Sequence, residues 1–422
     1  MEQLLHYVWK HKLFPLTELR TTAGQPVEVI DPGLGNPNAG PDFLNAKLKL
    51  NGMLWVGNVE IHEKSSDWYR HGHDTNPVYD SVILHITQHI DCEVCRTNGE
   101  PIPQLLLTCP DSVRANYREL LETDQYPPCY RIIPTLPHLT LHAWMAALQL
   151  ERFEEKTEAV RERLQHADGN WEDAFFVTLA RNFGFGLNGD AFETWARHIP
   201  LRAVDKHRND LFQIEAIFFG QAGLLQEPQA DPYYQRLQKE YAYLQHKFEL
   251  TPIDPHRWHF LRLRPNNFPH VRIAQLACLY HHSYGLLSQV LEAESLAEVR
   301  TLLKGGTSDY WLTHYTFSAA APSRPKTLSP TTLDLLLINT VVPFLYAYGK
   351  HKDNEALCAR ASRFLEELKP ENNHIIRLWS ECGLTAAHAG DSQALIQLKK
   401  NYCDRKKCLY CHIGYEYLKR KK

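Results

Sequence analysis

The sequence predicts an α/β domain with a mixed sheet over residues 1–125, then an all-α domain over residues 139–422 that ends in a cysteine-rich motif. Three observations predict this division. Strand-type runs and a hairpin turn crowd residues 1–110. From about residue 111 the apolar residues recur at helical spacing. Between the two, "YPPCYRIIPTLPHLT" (126–140) holds four prolines and reads as a linker.

The elements follow in order. Leu4, Leu5, Val8 and Trp9 at helical spacing predict a first helix over residues 2–12. "VEVIDPG" is a short strand stopped by Pro32-Gly33, and "LGNPNAGP" is a loop of turn formers. Asn51-Gly52 between β-type runs is a strong hairpin signal, with strands at 43–50 and 53–62. "SSDWYRHGH" is a short helix with Ser65 or Ser66 as N-cap. "SVILHIT" (81–87) is a buried strand, and two more strands flank "RTNGEPIP". Helices such as "WEDAFFVTLARNF" and "DLFQIEAIFFGQAGLL" fill the rest, with no fixed-period repeat.

Composition narrows the function classes. The 422 residues exceed one ordinary core, and 44% apolar with 23% charged residues is globular, not disordered. No apolar run is seen to approach the ~20 residues of a membrane span, and "MEQLLHYVWKHKLFPL" reads as an amphipathic helix, not a signal peptide. A cytoplasmic protein without membrane partners is expected, its oligomeric state left open. Ten cysteines in such a chain point to thiols or a metal site before disulfides. The net charge of −3 confines any nucleic-acid contact to a local basic patch.

The chemistry concentrates on the hairpin. Alternation puts Asn58, Glu60, His62 and Lys64 on one face of the second strand. A polar row of that kind suits a divalent cation, Mg²⁺ or Mn²⁺, with Asp42 as a second carboxylate. Strict pairing across Asn51-Gly52 sets Asp42 against Ile61 and turns it away from Glu60. One extra residue repairs the parity, and Gly57 is the natural bulge; bending at Asp42 after Pro41 would also serve. In "DWYRHGHDTNPVYD", His73 and Asp74 are expected near the Glu60–His62 face, adding metal or phosphate contacts, with His73 as a third ligand of the Mg²⁺ or Mn²⁺. Asp74, Asn76 and Pro77 also build a turn without any site. His85 reads as a core histidine.

Pro41-Asp42, seventeen residues, then Glu60-Ile61-His62 resembles the restriction-endonuclease-like superfamily, whose motif is PD…(D/E)xK. The order of helix, strand, acid-bearing hairpin, helix and strand is similar too. The resemblance implies that Asp42 and Glu60 ligate the metal and that a lysine assists the attacking water. His62 stands at the lysine position, a departure, and Lys64 is the nearest substitute. The resemblance also implies that Glu2, on the first helix, meets the metal through water. Over nearly its whole length the chain also resembles an uncharacterised bacterial family of unknown function, through "GPDFLNAKL", "GNVEIHEKSSDW", "HGHD", "VILHIT" and "CLYCHIG".

Two further motifs carry chemistry. Cys403, Cys408 and Cys411 form C-x4-C-x2-C, the spacing of soft ligands for zinc or an iron–sulfur cluster, with His412, Cys382 and Cys358 as candidates for the fourth position. The alternative is cysteines packed beside a terminal helix. "RWHFLRLRPNNFPHVR" offers Arg262, Arg264 and Arg272 with interleaved aromatics as a substrate-binding patch for nucleic acid, or as arginines covering helical surface. The expected function is a metal-dependent nuclease hydrolysing phosphodiesters. The alternatives are an inactive endonuclease-like scaffold and a hydrolase of a small phosphorylated molecule.

Overall fold

Asn51 and Gly52, with φ of 49° and 82°, turn the chain between strands β3 (Phe43–Leu50) and β4 (Met53–Lys64). Two positive φ values suit the right-handed twist of the paired strands. The structure, a computed structural model, describes residues 2–14, 19–318 and 320–420. β1 (Val27–Asp31) and the two-residue β2 (Leu34–Gly35) pair antiparallel with β3. On the other side of β4, β5 (Val82–His89) and β6 (Gln104–Leu106) run parallel, giving the order β1-β3-β4-β5-β6 in a mixed sheet. The second strand expected around "RTNGEPIP" is only the bridge Cys95–Pro101.

Helix α1 (Glu2–Lys10) packs on β4. Nine residues are too few for a stable isolated helix. Leu4, Leu5, Val8 and Trp9 are buried, each contributing about 1.5–3 kcal/mol, and that packing holds it. The Trp9 indole also donates to the Pro32 carbonyl at 3.0 Å. In α2 (Asp67–Arg70) the expected N-cap differs. Ser65 and Ser66 bond the Asp91 carboxylate instead of capping the helix.

The chain divides into two compact units, Met1–Trp144 with Cys382–Leu384 and Leu398–Lys422, and Met145–Glu381 with Thr385–Gln397. This differs from a break between 125 and 139. The proline-rich segment is no tether: Cys129, Ile132, Ile133 and Leu136 are buried. The C-terminal segment belongs with the sheet. The buried Asn116 amide reaches the carbonyls of Tyr417, Leu418 and Arg420 at 3.0–3.3 Å. Carbonyls at a helix end have no intrahelical donors of the regular kind, and a side-chain amide can serve them.

The second unit is helical around one large core that includes Phe175, Phe218, Trp195 and Phe344. Its stretch Pro330–His351 is 22 residues long with mean hydropathy 1.3, so the reading that no run approaches a membrane span needs correcting. Seventy-two per cent of its apolar window is buried in the fold, as in a core helix. Pro343 has no N–H for the Asn339 carbonyl. A π turn over Leu337–Val341 precedes it, and the Asn182 amide supplies the missing donor at 3.1 Å.

Glu215, fully buried here, accepts hydrogen bonds from Tyr233 and Ser308. Burial pushes its carboxyl from the ordinary 4.5 up to about 7, against those bonds. The folded chain therefore keeps a proton that the unfolded chain loses. This predicts that stability declines by about 3 kcal/mol as pH rises from the ordinary carboxylate range to neutrality. Glu215→Gln should flatten the decline in denaturation curves taken across that range.

Candidate metal centre

The parity problem is solved in β3, not in β4. Pairing runs regularly from Leu50–Met53 to Ala46–Gly57, then shifts so that Phe43 faces Val59. The extra residue lies beside Asn45, whose φ is 57°. Asn45 N–H donates to Asn58 Oδ1 at 3.1 Å, and the Asn58 amide donates to Ser81 Oγ at 2.8 Å. Gly57, the expected bulge, serves close approach instead. A Cβ there would lie 2.4 Å from Ile83 Cγ2 and 2.9 Å from the Ser81 carbonyl.

With the register shifted, Asp42 and Glu60 interlock. Asp42 N–H donates to Glu60 Oε2 at 3.0 Å, and Ile61 N–H donates to Asp42 Oδ2 at 2.9 Å. Asn36 braces the preceding loop through its amide to the Pro41 carbonyl and its N–H to the Asp42 carbonyl.

Histidines complete the site. Gly72, at φ 71°, turns the chain after α2 into a 3₁₀ turn that carries His73. His73 Nε2 lies 3.2 Å from Glu60 Oε1, its ring stacked on Tyr79 at 3.7 Å. His62 Nε2 lies 3.6 Å from the same oxygen and 3.2 Å from His71 Nδ1. One ligand atom from each of His62, His71 and His73 falls within 4.8 Å of the others. His62 Nδ1 meets His85 Nε2 at 2.9 Å. From α1, His6 Nε2 reaches Asp42 Oδ2 at 3.3 Å.

Burial decides the charges. It raises the Glu60 carboxyl, with Asp42 adding to the rise and His73 opposing it. Burial, reinforced by the neighbouring histidines, lowers His62 to about 3, and it lowers His85 to about 3. Both are neutral imidazoles near pH 7, the form that ligates metal. For His6, burial lowers the pKa, but the Asp42 bond and the charges of Asp42, Glu2 and Glu60 outweigh it, so the net shift is upward. Glu60 Oε1 faces two imidazoles in a buried setting, while the three donor atoms gathered within 4.8 Å among the described residues are those of His62, His71 and His73. Mixed oxygen and nitrogen donors favour Mn²⁺ or Zn²⁺ over Mg²⁺.

The expected residues divide. Asp42, Glu60, His62 and His73 come together. Lys64 is exposed and makes no ion pair or side-chain hydrogen bond with them. Glu2 reaches the site only through its charge on His6. In the second unit, Arg262 and Arg264 are exposed, but Arg272 is 5% exposed. Its guanidinium is committed to Gln275, Asn267 and the Phe185 ring, so it is unavailable to a phosphate. Trp258 is buried with its indole on the Ala222 carbonyl, not free for stacking. Cys403, Cys408 and Cys411 come together, and Cys129 joins them.

Sequence reasoning missed His6, His71 and the bracing role of His85. A signal for His6 existed. Gln3, His6, Tyr7 and Lys10 form an i, i+3, i+4, i+7 stripe on α1, and they line a cleft of about 230 Å³ that opens on Asp42.

A family model described as "Protein of unknown function (DUF2851)" matches residues 2–374. The chain belongs to that family. The match includes every residue of the hairpin site and stops before Cys403, Cys408 and Cys411. No curated protein and no solved structure matches the DUF2851 chain.

The left-handed backbone at Asn45 makes a specific prediction. Asn45→Val should cost about 1–3 kcal/mol in chemical denaturation, because a β-branched residue resists positive φ. Asn45→Gly should stay near wild type.

Proposed function

We propose that this DUF2851 chain is a metal-dependent phosphodiester hydrolase acting on nucleic acid, with Asp42, Glu60 and His73 as ligands of a divalent cation. The observation that carries the reading is the interlocked pair Asp42–Glu60, with His73 on Glu60, beside a cleft. The order of helix, strand, acid-bearing hairpin, helix and strand supports an endonuclease-like first unit.

A bound Mn²⁺ or Mg²⁺ would supply Lewis acidity to a phosphoryl oxygen and acidify a coordinated water. The chain's own groups do the rest. Backbone N–H groups orient both acids: Asp42 N–H holds Glu60 and Ile61 N–H holds Asp42. His62, at about 3, is too weak a base to take a proton near neutrality, and His85 braces it. Positive charge for the phosphate comes from His6 and Lys10 on the cleft wall, in place of Lys64.

The cleft, about 230 Å³, favours a second reading. It lies below the roughly 300–1,000 Å³ of ordinary ligand pockets, so a small phosphorylated molecule fits it better than a duplex does.

Wild type and Glu60→Gln, purified identically, should be assayed with Mn²⁺ and with Mg²⁺ on plasmid, single-stranded DNA, RNA and a small phosphodiester. Nucleic-acid cleavage should fall at least about 100-fold in the variant, because a lost ligand removes several kcal/mol of charge stabilisation. Activity confined to the small ester establishes the second reading. A folded wild type inactive on every substrate contradicts both and leaves a binding module.

A further inference from the structure

Four of the ten cysteines, Cys129, Cys403, Cys408 and Cys411, gather away from the hairpin acids. Cys408 and Cys411 flank one 3₁₀ turn, Cys408–Tyr410, and Cys411 N–H donates to the Cys408 carbonyl at 3.3 Å. Gly414 permits this turn, since a Cβ there would lie 2.1 Å from the Cys408 carbonyl oxygen. Cys403 closes the π turn Leu398–Cys403 just before it. Cys129 comes from the buried segment after helix Asp111–Glu122, far away in sequence. Each of the six pairs among these four cysteines lies within reach of the other's charge. All four are unbridged.

A second observation points to a ligand. Trp144 is 5% exposed, and its buried indole N–H makes no hydrogen bond of ordinary length. It is directed at Cys411. Stacking on His412 at 4.5 Å and an edge contact with Tyr402 at 5.2 Å fix the ring in that orientation. An unmade buried hydrogen bond is destabilising, and a metal-bound thiolate is the acceptor that would complete it. Burial pushes the Cys408 thiol up, with the nearby Lys406 charge opposing the rise.

The spacing distinguishes the metals. Zinc at about 2.3 Å from each sulfur holds four sulfurs within about 4 Å of one another. Among the described residues no trio of cysteine sulfurs lies within 4.8 Å. A wider frame suits a cluster, in which each thiolate binds a different iron. We propose that Cys129, Cys403, Cys408 and Cys411 hold an iron–sulfur cluster, with the Trp144 N–H donating to the Cys411 sulfur.

The cluster would clamp the C-terminal segment to Cys129. Leu409 and Tyr410, between two of its ligands, line the cleft beside Asp42. The clamp thus shapes that wall whether or not the hairpin site hydrolyses phosphodiesters.

The test is the full chain expressed with iron supplementation and purified without oxygen. Iron and acid-labile sulfide should be present in near-equal amounts, about four of each per chain for a cubane, with broad visible absorption. Cys129→Ser and Cys411→Ser should lose the iron, while Cys278→Ser keeps it. Trp144→Phe, which retains the ring but not the N–H, should keep the iron with a shifted spectrum. One zinc per chain without sulfide overturns the cluster. Folded wild type without metal, all its thiols titratable, overturns the centre altogether. Wild-type metal content decides the matter even where a serine variant fails to fold.

Discussion

One residue too many in β3 governs the hairpin site. Without the shift beside Asn45, Asp42 would face Ile61 and point away from Glu60, and no metal could see both carboxylates. With it, each carboxylate caps a backbone N–H next to the other. Asn45 holds the bulge through Asn58, and Asn58 passes the constraint to Ser81 at the start of β5. Gly57 lets Ile83 come close at the same level. The polar row on β4 is therefore placed by backbone geometry, not by flexible side chains.

That placement is costly for folding. Burying Glu60 beside Asp42 raises its carboxyl, and burying His62 and His85 keeps them neutral. Buried charges need a partner, and in the described arrangement His73 stands 3.2 Å from Glu60 and His6 3.3 Å from Asp42. A divalent cation would reverse this logic, favouring ionised Glu60 and neutral imidazole together. The bond between His62 Nδ1 and His85 Nε2 leaves His62 Nε2 turned toward Glu60. This is the way second-layer groups orient metal-binding histidines.

Local signals carried much of this, and long-range ones did not. Asn51-Gly52 announced the hairpin, and counting residues across it exposed the parity conflict and the need for a bulge. Which strand would bulge depended on how β5 packs, and nothing near Gly57 encodes that. His73 was foreseeable from its neighbourhood and His6 left a trace in the polar stripe of α1, whereas Cys129 meets the other cysteines only through tertiary folding. Arg272 was misjudged as a phosphate contact because a basic cluster looks alike in sequence whether exposed or buried. Its helix, Pro269–His282, is buried almost all round. The two compact units likewise draw on contacts between distant parts of the chain. The C-terminal segment joins the sheet-bearing unit, where Asn116 of the helix Asp111–Glu122 bonds the Tyr417 carbonyl, a contact invisible to composition.

The central claim is that the shifted hairpin makes one cation site from Asp42, Glu60 and His73. Anomalous diffraction from crystals soaked in Mn²⁺ tests it most directly. The account predicts a manganese peak bonded to a carboxylate oxygen of each acid and to His73 Nε2. Strong soaking with no peak there, or with manganese bound only elsewhere on the chain, would contradict it.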